Sequence, residues 1–286
     1  MIIAITGATG QLGTDLTAEL HKRNHVVYGF GSRDLDVADA AAVSASLARL
    51  RPDVVMHCAA YTAVDLAEDE KERCSRINCD GTENIARACA GLGCKLLYIS
   101  TDYVFPGDGE RPWEPDDPTE PLNYYGLTKY QGEEAVRAST DRHFIVRISW
   151  VFGLHGKNFV KTMLRLGAER DALTVVADQV GSPTYTRDLS VLLADMIETE
   201  HFGTYHATNE GFCSWYEFAD AIMRKAGLSA RVNPVTSAEY PTKAKRPLNS
   251  RMSKEKLTER GFRRLPTWEN ALDRFLKEIE ETNGKD

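Results

Sequence analysis

The apolar run Ile2-Ile3-Ala4-Ile5 leads into Thr6-Gly7-Ala8-Thr9-Gly10-Gln11-Leu12-Gly13, and this junction restricts the fold more than any other part of the chain. A short apolar run that ends in glycines reads as a buried strand entering a tight turn. The residues after it put Leu12, Leu16 and Leu20 on one helical face. Gly7 permits the turn, Gly10 lets the backbone approach a pyrophosphate, and Gly13 lets the helix pack on its strand. Free N–H groups at the start of such a helix point towards phosphate oxygens. The junction therefore points to a dinucleotide, although glycine turns also follow strands that bind nothing.

Further apolar runs continue an alternation of strand and helix. His25–Phe30, Asp53–Cys58, Lys95–Ser100 and Phe144–Trp150 read as strands two to five, and one long helical pattern spans about Asp65 to Ala90. The expected fold class is α/β, a Rossmann-like doubly wound parallel sheet with a smaller C-terminal substrate-binding lobe. A length of 286 residues with 42% hydrophobic content can bury such a core. Residues 1–150 are expected to form the NAD(P)-binding domain and residues 151–286 mainly the lobe. The two interleave, with late sheet strands contributed from about residues 173–208. Ligands on such sheets sit at the carboxyl ends of strands. Gly31-Ser32-Arg33, Ala59-Ala60-Tyr61-Thr62, Thr101-Asp102-Tyr103 and Trp150 all fall there.

Composition removes several function classes. A formal charge of −7 argues against general nucleic-acid binding, which needs a basic surface. No apolar run approaches the roughly 20 residues that span a bilayer, and no signal-peptide pattern opens the chain. Cys58, Cys74, Cys79, Cys89, Cys94 and Cys213 show neither a Cys-x-x-Cys pair nor a histidine at zinc-site spacing. Reduced thiols, a cytoplasmic location and no metal site are the expectation.

Tyr125-Gly126-Leu127-Thr128-Lys129 carries the chemistry. Residues four apart on a helix share a face, so the phenol and the ammonium would meet in one space. A free tyrosine has a pKa near ~10, and a nearby cation lowers it towards that of a usable acid. With a dinucleotide close by, the pair suggests hydride transfer with protonation by Tyr125. The end of strand two bears on the cofactor. Phe30 is followed by Gly31-Ser32-Arg33 in place of the carboxylate that usually accepts NAD ribose hydroxyls. Arg33 could pair with a 2′-phosphate, which favours NADPH; Asp34 beside it leaves NADH open as a second cofactor.

With the glycine turn, Thr101 and Tyr125-x-x-x-Lys129 in order, the chain resembles the extended short-chain dehydrogenase/reductases. Longer strings resemble one family among them, the dTDP-4-dehydrorhamnose reductases. They are Ala59-Ala60-Tyr61-Thr62-Ala63-Val64-Asp65, Ser100-Thr101-Asp102-Tyr103-Val104-Phe105 and Asn123 to Lys129. Ile148-Ser149-Trp150-Val151-Phe152-Gly153, Asp178-Gln179-Val180-Gly181-Ser182-Pro183-Thr184 and Arg246-Pro247-Leu248-Asn249-Ser250 complete the set. The resemblance implies reduction of the C4 ketone of dTDP-4-dehydro-6-deoxy-L-mannose to dTDP-L-rhamnose, for cell-surface polysaccharide. It makes Tyr125 the proton donor, Lys129 the ribose ligand that lowers its pKa, and Thr101 the group that polarises the ketone. It also implies that Gly7, Gly10, Gln11, Leu12, Gly13, Asp36, Val37, Ala59, Ala60, Tyr61 and Thr62 hold the cofactor. Asp102, Tyr103, Val64, Trp150, Asn158 and Arg246 would touch the dTDP-sugar.

Some members of that family dimerise through a magnesium ion held by glutamates. Here Asp15 stands at the early position and Glu280-Glu281-Thr282-Asn283-Gly284-Lys285-Asp286 reads as a charged tail, so no bridging metal is expected. A homodimer of another kind stays open. Prolines 106, 112, 115, 118 and 121 mark an ordered excursion before the Tyr125 helix, with Trp113 packing it down. It would be either a wall of the active site or an inert surface loop. Ser214-Trp215-Tyr216-Glu217 fits a capping box, and Trp268, Leu272, Phe275, Leu276 and Ile279 fit a final core-packing helix. Lys243, Lys245 and Arg246 form the main basic cluster of the second half, and Arg246 is the candidate ligand of the diphosphate. Two rival functions remain at this stage. A dehydratase or epimerase is weakened because Tyr103, not a second acid, follows Asp102. A non-catalytic NADP-binding regulatory subunit is weakened by the intact Thr101, Tyr125 and Lys129.

Overall fold

In the computed structural model, which describes residues 1–283, the chain opens as the glycine pattern requires. β1 (Ile2–Thr6) turns into α1 (Gln11–Lys22), followed by β2 (Val26–Phe30), α2 (Ala40–Leu50) and β3 (Val54–His57). α3 (Lys71–Ser75), α4 (Gly81–Leu92), β4 (Lys95–Thr101), α5 (Tyr124–Ser139) and β5 (His143–Ile148) complete the first part. The second part contains β6 (Val151–Phe152), α6 (Phe159–Glu169), β7 (Ala172–Val176), β8 (Val180–Gly181), β9 (Thr184–Tyr185) and α7 (Thr186–Ile197). β10 (Gly203–His206), β11 (Cys213–Ser214), α8 (Trp215–Lys225), β12 (Arg231–Val235), β13 (Asn249–Ser250), α9 (Glu255–Glu259) and α10 (Trp268–Asn283) follow.

The main sheet has the order β10-β5-β4-β3-β1-β2 with every pair parallel. The chain leaves β1 for one edge, then returns to its other side through β3, which places a switch point between β1 and β3. Because strand side chains alternate, Ile3 and Ile5 enter one core with Leu16, Leu20, Leu189 and Leu193. Ala4 faces the opposite core with Val43, Leu47, Val55 and Ile85. Covering both faces explains why the strands read as continuous apolar runs. Full burial of one such side chain contributes about 1.5–3 kcal/mol. A third core joins α6, α8 and α10 through Phe152, Met163, Phe218, Ile222, Leu272 and Phe275.

The late strands divide differently from the expectation for residues 173–208. Only β10 returns to the main sheet, beside β5. β7 pairs with β12 in a separate ribbon, and β8 lies between β11 and β13 in a small sheet.

The helix expected from Asp65 to Ala90 is broken. A 3₁₀ turn at Leu66–Glu68 precedes α3, and a π turn at Arg76–Asp80 separates α3 from α4. The wider turn sends Asn78 inward, where Oδ1 accepts from the Tyr61 N–H at 2.7 Å. Its Nδ2 donates to Tyr61 O and Thr128 Oγ1, both at 3.1 Å. One buried amide thus joins the loop after β3 to α5.

The proline excursion is ordered. Trp113 stacks on Phe105 at 4.9 Å and donates from Nε1 to Asn249 O at 3.1 Å. Buried Arg147 donates to Pro115 O at 2.9 Å and forms an ion pair with buried Glu133 at 2.7 Å. The Ser214–Glu217 capping box forms in full and opens α8. Of the expected charged tail, residues 284–286 lie outside the described residues, and Glu280 to Asn283 continue α10.

Candidate active site

A cleft of about 760 Å³ opens at the carboxyl ends of the main strands. The glycine turn forms one wall. A Cβ at Gly13 would stand 2.3 Å from Gly7 O, and one at Gly7 would stand 2.7 Å from Ala59 N, so glycine alone allows this packing. The cradle fits a pyrophosphate on the α1 N–H groups. Gly10, Gln11, Leu12, Asp36, Val37, Ala59, Ala60, Thr62 and Val64 all line the cleft, as the sequence anticipates.

α5 supplies the chemistry. Asn123 caps it by accepting from Gly126 N at 2.8 Å, which fixes where the first turn begins. A Cβ at Gly126 would come within 2.2 Å of Tyr103 O, so glycine lets this turn close on the loop after β4. Tyr125 and Lys129 therefore enter the cleft with Thr101, Asp102 and Tyr103. The rings of Tyr103 and Tyr125 meet edge to face at 5.7 Å.

The electrostatics differ from the simple expectation for the Tyr–Lys pair. Lys129 is 2% exposed, and burial is the main force bringing its ammonium down to about 7. Its Nζ donates to Ile99 O at 2.7 Å and sits 4.0 Å from the centre of the Tyr98 ring. Burial pushes the Tyr125 phenol above its ordinary value, the Asp102 charge adds to this, and a hydrogen bond with Thr101 opposes it. Burial and the Asp102 charge thus outweigh, at this phenol, the lowering expected of a nearby cation. The ammonium is turned to the β4 carbonyl of Ile99.

Asp102 is buried, and burial raises its carboxyl to about 6. Oδ1 accepts from Thr101 Oγ1 at 3.0 Å. Oδ2 is buried with no hydrogen-bond partner among the described residues; the Ser250 side chain favours the ionised form without satisfying that atom. His57 packs behind Lys129. It lies 2.6 Å from Thr6 Oγ1 and 3.1 Å from Thr82 Oγ1, and burial holds it neutral, its pKa near 3.

Trp150 also departs from the sequence reading. β5 ends at Ile148, and Trp150 adopts φ +49° just beyond it. An extended strand cannot hold that left-handed conformation, so the ring swings into the cleft and stacks on Trp215 at 3.7 Å and 14°.

Four expected contacts lie off the lining. Tyr61 turns away and donates from its hydroxyl to Glu70 at 3.0 Å. Arg33 is exposed on the loop beyond Ser32, while Asp34 folds back to accept from Gly31 N at 2.8 Å. Asn158 caps α6 and reaches the cleft only through Gln11, donating to its Oε1 at 3.0 Å. Arg246 pairs with Asp65 at 2.7 Å and neighbours the Tyr103 hydroxyl. Lys243 pairs with Asp69, so two of the three cations in that cluster already have carboxylate partners.

Ile77, Lys157 and Trp215 line the cleft and were absent from the sequence-level set. Trp215 was within reach of sequence reasoning, because its capping box fixed where α8 begins. No local pattern marked Lys157. Among the described residues no cluster of three or more metal-binding side chains forms, and Asp15 accepts from the Thr186 hydroxyl. No described helix is long and apolar enough to cross a membrane.

A family profile described as the RmlD substrate binding domain matches residues 1–281. The dTDP-4-dehydrorhamnose reductase of Streptomyces griseus is 43% identical, over 94% of this chain and 90% of its own. The chain belongs to the dTDP-4-dehydrorhamnose reductase family. The Escherichia coli member is 39% identical over 98% of both chains, and the Bacillus subtilis spore coat polysaccharide biosynthesis protein SpsK is 41% identical over 96% and 97%. The crystal structure of the Bacillus anthracis reductase in complex with NADP superposes with a TM-score of 0.95 at 44% identity, covering 97% of this chain and 99% of that one. Thermus thermophilus UDP-glucose 4-epimerase shares the fold at a TM-score of 0.84 and 19% identity. The mostly parallel, Rossmann-like sheet with flanking helices is common to this chain and these structures.

Proposed function

We propose that the chain reduces the C4 ketone of dTDP-4-dehydro-6-deoxy-L-mannose to dTDP-L-rhamnose, with NADPH as the preferred reductant. The observation that carries this reading is the meeting of Thr101, Tyr125 and Lys129 in the same cleft as the glycine turn. The nicotinamide would supply the hydride. Reduction leaves negative charge on the ketone oxygen, and the chain must meet it with donors. Thr101 already donates to Asp102 and can turn its hydroxyl to the substrate oxygen. Tyr125 then gives its proton to that oxygen. A phenol held above its ordinary pKa enters the reaction protonated, as an acid must. Lys129 is fixed by Ile99 O and has donors left for ribose hydroxyls. Asp102, Trp150 and Val64 would bound the sugar.

Arg33 supports NADPH over NADH by position, since it follows the cleft-lining Ser32 and forms no ion pair among the described residues. The identity of this chain to family members named for this activity supports the substrate.

The test is oxidation of NADPH and of NADH with freshly generated keto-sugar. Tyr125→Phe is expected to keep its fold and lose about 10²–10⁴-fold in kcat. Near-full turnover in that variant would remove Tyr125 from the mechanism. Equal catalytic efficiency with the two cofactors would remove Arg33 from cofactor choice.

A further inference from the structure

The cleft is short of positive charge for what it is proposed to hold. A dinucleotide and a nucleotide-sugar each bring a diphosphate, yet the only basic side chains among the described lining residues are Lys129 and Lys157. Asp36 and Asp102 line it as well. Lys129 is buried, its ammonium brought down to about 7, and is bonded to Ile99 O. Lys157 is exposed and makes no hydrogen bond or ion pair among the described residues.

Its backbone is held firmly. Lys157 lies in the segment that crosses from β6 to α6. Asn158 Nδ2 donates to Gly153 O at 2.8 Å and to Gln11 Oε1 at 3.0 Å. Lys161 Nζ donates to Gly156 O at 3.1 Å and also bonds Leu154 O. The Asn158–Gln11 bond straps this segment to the first residue of α1, next to the glycine turn, and the other three hold the segment itself in shape. A flexible ammonium carried on this strap meets the cleft where α1 already presents free N–H groups.

We propose that Lys157 is a diphosphate ligand at this mouth, completing a site that the α1 N–H groups provide only in part. The inference rests on the proposed function, because that reading puts diphosphates in the cleft. Phosphate oxygens in a solvent-facing cleft attract an ammonium as a point charge, so the contribution should fall with salt.

The experiment is direct titration of the full chain and of Lys157→Gln with NADPH and, separately, with dTDP, at low and high salt. At low salt the variant should bind one of the two about 10-fold more weakly, with the gap narrowing at high salt and Lys157→Arg recovering most of the affinity. Weakening confined to NADPH assigns Lys157 to the cofactor; weakening confined to dTDP assigns it to the nucleotide-sugar. Unchanged affinity for both, in a variant that melts like the parent, would overturn the inference. Failure of the parent chain to bind either ligand would instead overturn the functional reading beneath it.

Discussion

At Asp102 one carboxylate oxygen accepts from Thr101 while the other is buried without a partner. Burial raises this carboxyl from 3.8 to about 6, so the folded chain binds a proton there more tightly than the unfolded chain. A raised carboxyl destabilises the fold in full above its folded pKa, and the cost fades as pH falls between the two values. The parent should therefore gain stability relative to Asp102→Asn as pH falls from about 6 to 4, by an amount on the order of 3 kcal/mol. Urea unfolding at several pH values measures it, and a flat difference would mean that the carboxylate is compensated. In the proposed reaction Asp102 bounds the sugar, so the variant should also raise KM. At this scale the sequence named Thr101, Asp102, Tyr125 and Lys129 correctly as cleft residues. It did not show that Lys129 donates to Ile99 O, because i and i+4 spacing fixes a shared face but not which way a flexible ammonium turns.

Between α3 and α4 the π turn has a measurable consequence. Asn78 bonds both the N–H and the carbonyl of Tyr61, next to the cleft-lining Ala60 and Thr62, and reaches Thr128 on α5. Asn78→Ala leaves these buried groups unsatisfied and should cost about 2–4 kcal/mol in urea unfolding. It should also weaken NADPH binding, because the loop after β3 loses its tie to α5. A loss under 1 kcal/mol would show that the loop holds its place without the amide. Element existence was largely legible, since β1 to β5 fall within a residue or two of their apolar runs. The break at Arg76–Asp80 was not, because the apolar spacing passes through it unchanged and the deciding contacts are with Tyr61 and Thr128. The two-residue strands β6, β8, β9, β11 and β13 were equally hidden, being too short to carry a pattern.

Across the whole molecule, the proposed ribose contact would couple cofactor binding to protonation at Lys129. Burial brings its ammonium down to about 7, so the free protein loses that charge as pH rises through this value. If the charged form holds the ribose, binding above pH 7 must first take up a proton. NADPH affinity should then fall above pH 7 by up to about 10-fold per pH unit, until the pKa of the complex is passed. Saturating cofactor at about 100 times Kd stabilises the fold by roughly 2.7 kcal/mol, so a thermal shift at fixed NADPH should shrink from pH 6 to pH 9. A shift that does not change over that range would mean that binding does not use the ammonium.

The sequence by itself determined the α/β class, the glycine cradle, the Tyr125–Lys129 face and the family, because each rests on local spacing or on strings of adjacent residues. Tertiary structure alone decided that Arg246 meets Asp65, that Trp150 turns left-handed onto Trp215, and that Lys157 is strapped beside α1. Those outcomes join residues far apart in the chain, and packing between the two lobes selects among rotamers and backbone wells that the local sequence leaves nearly equal in energy.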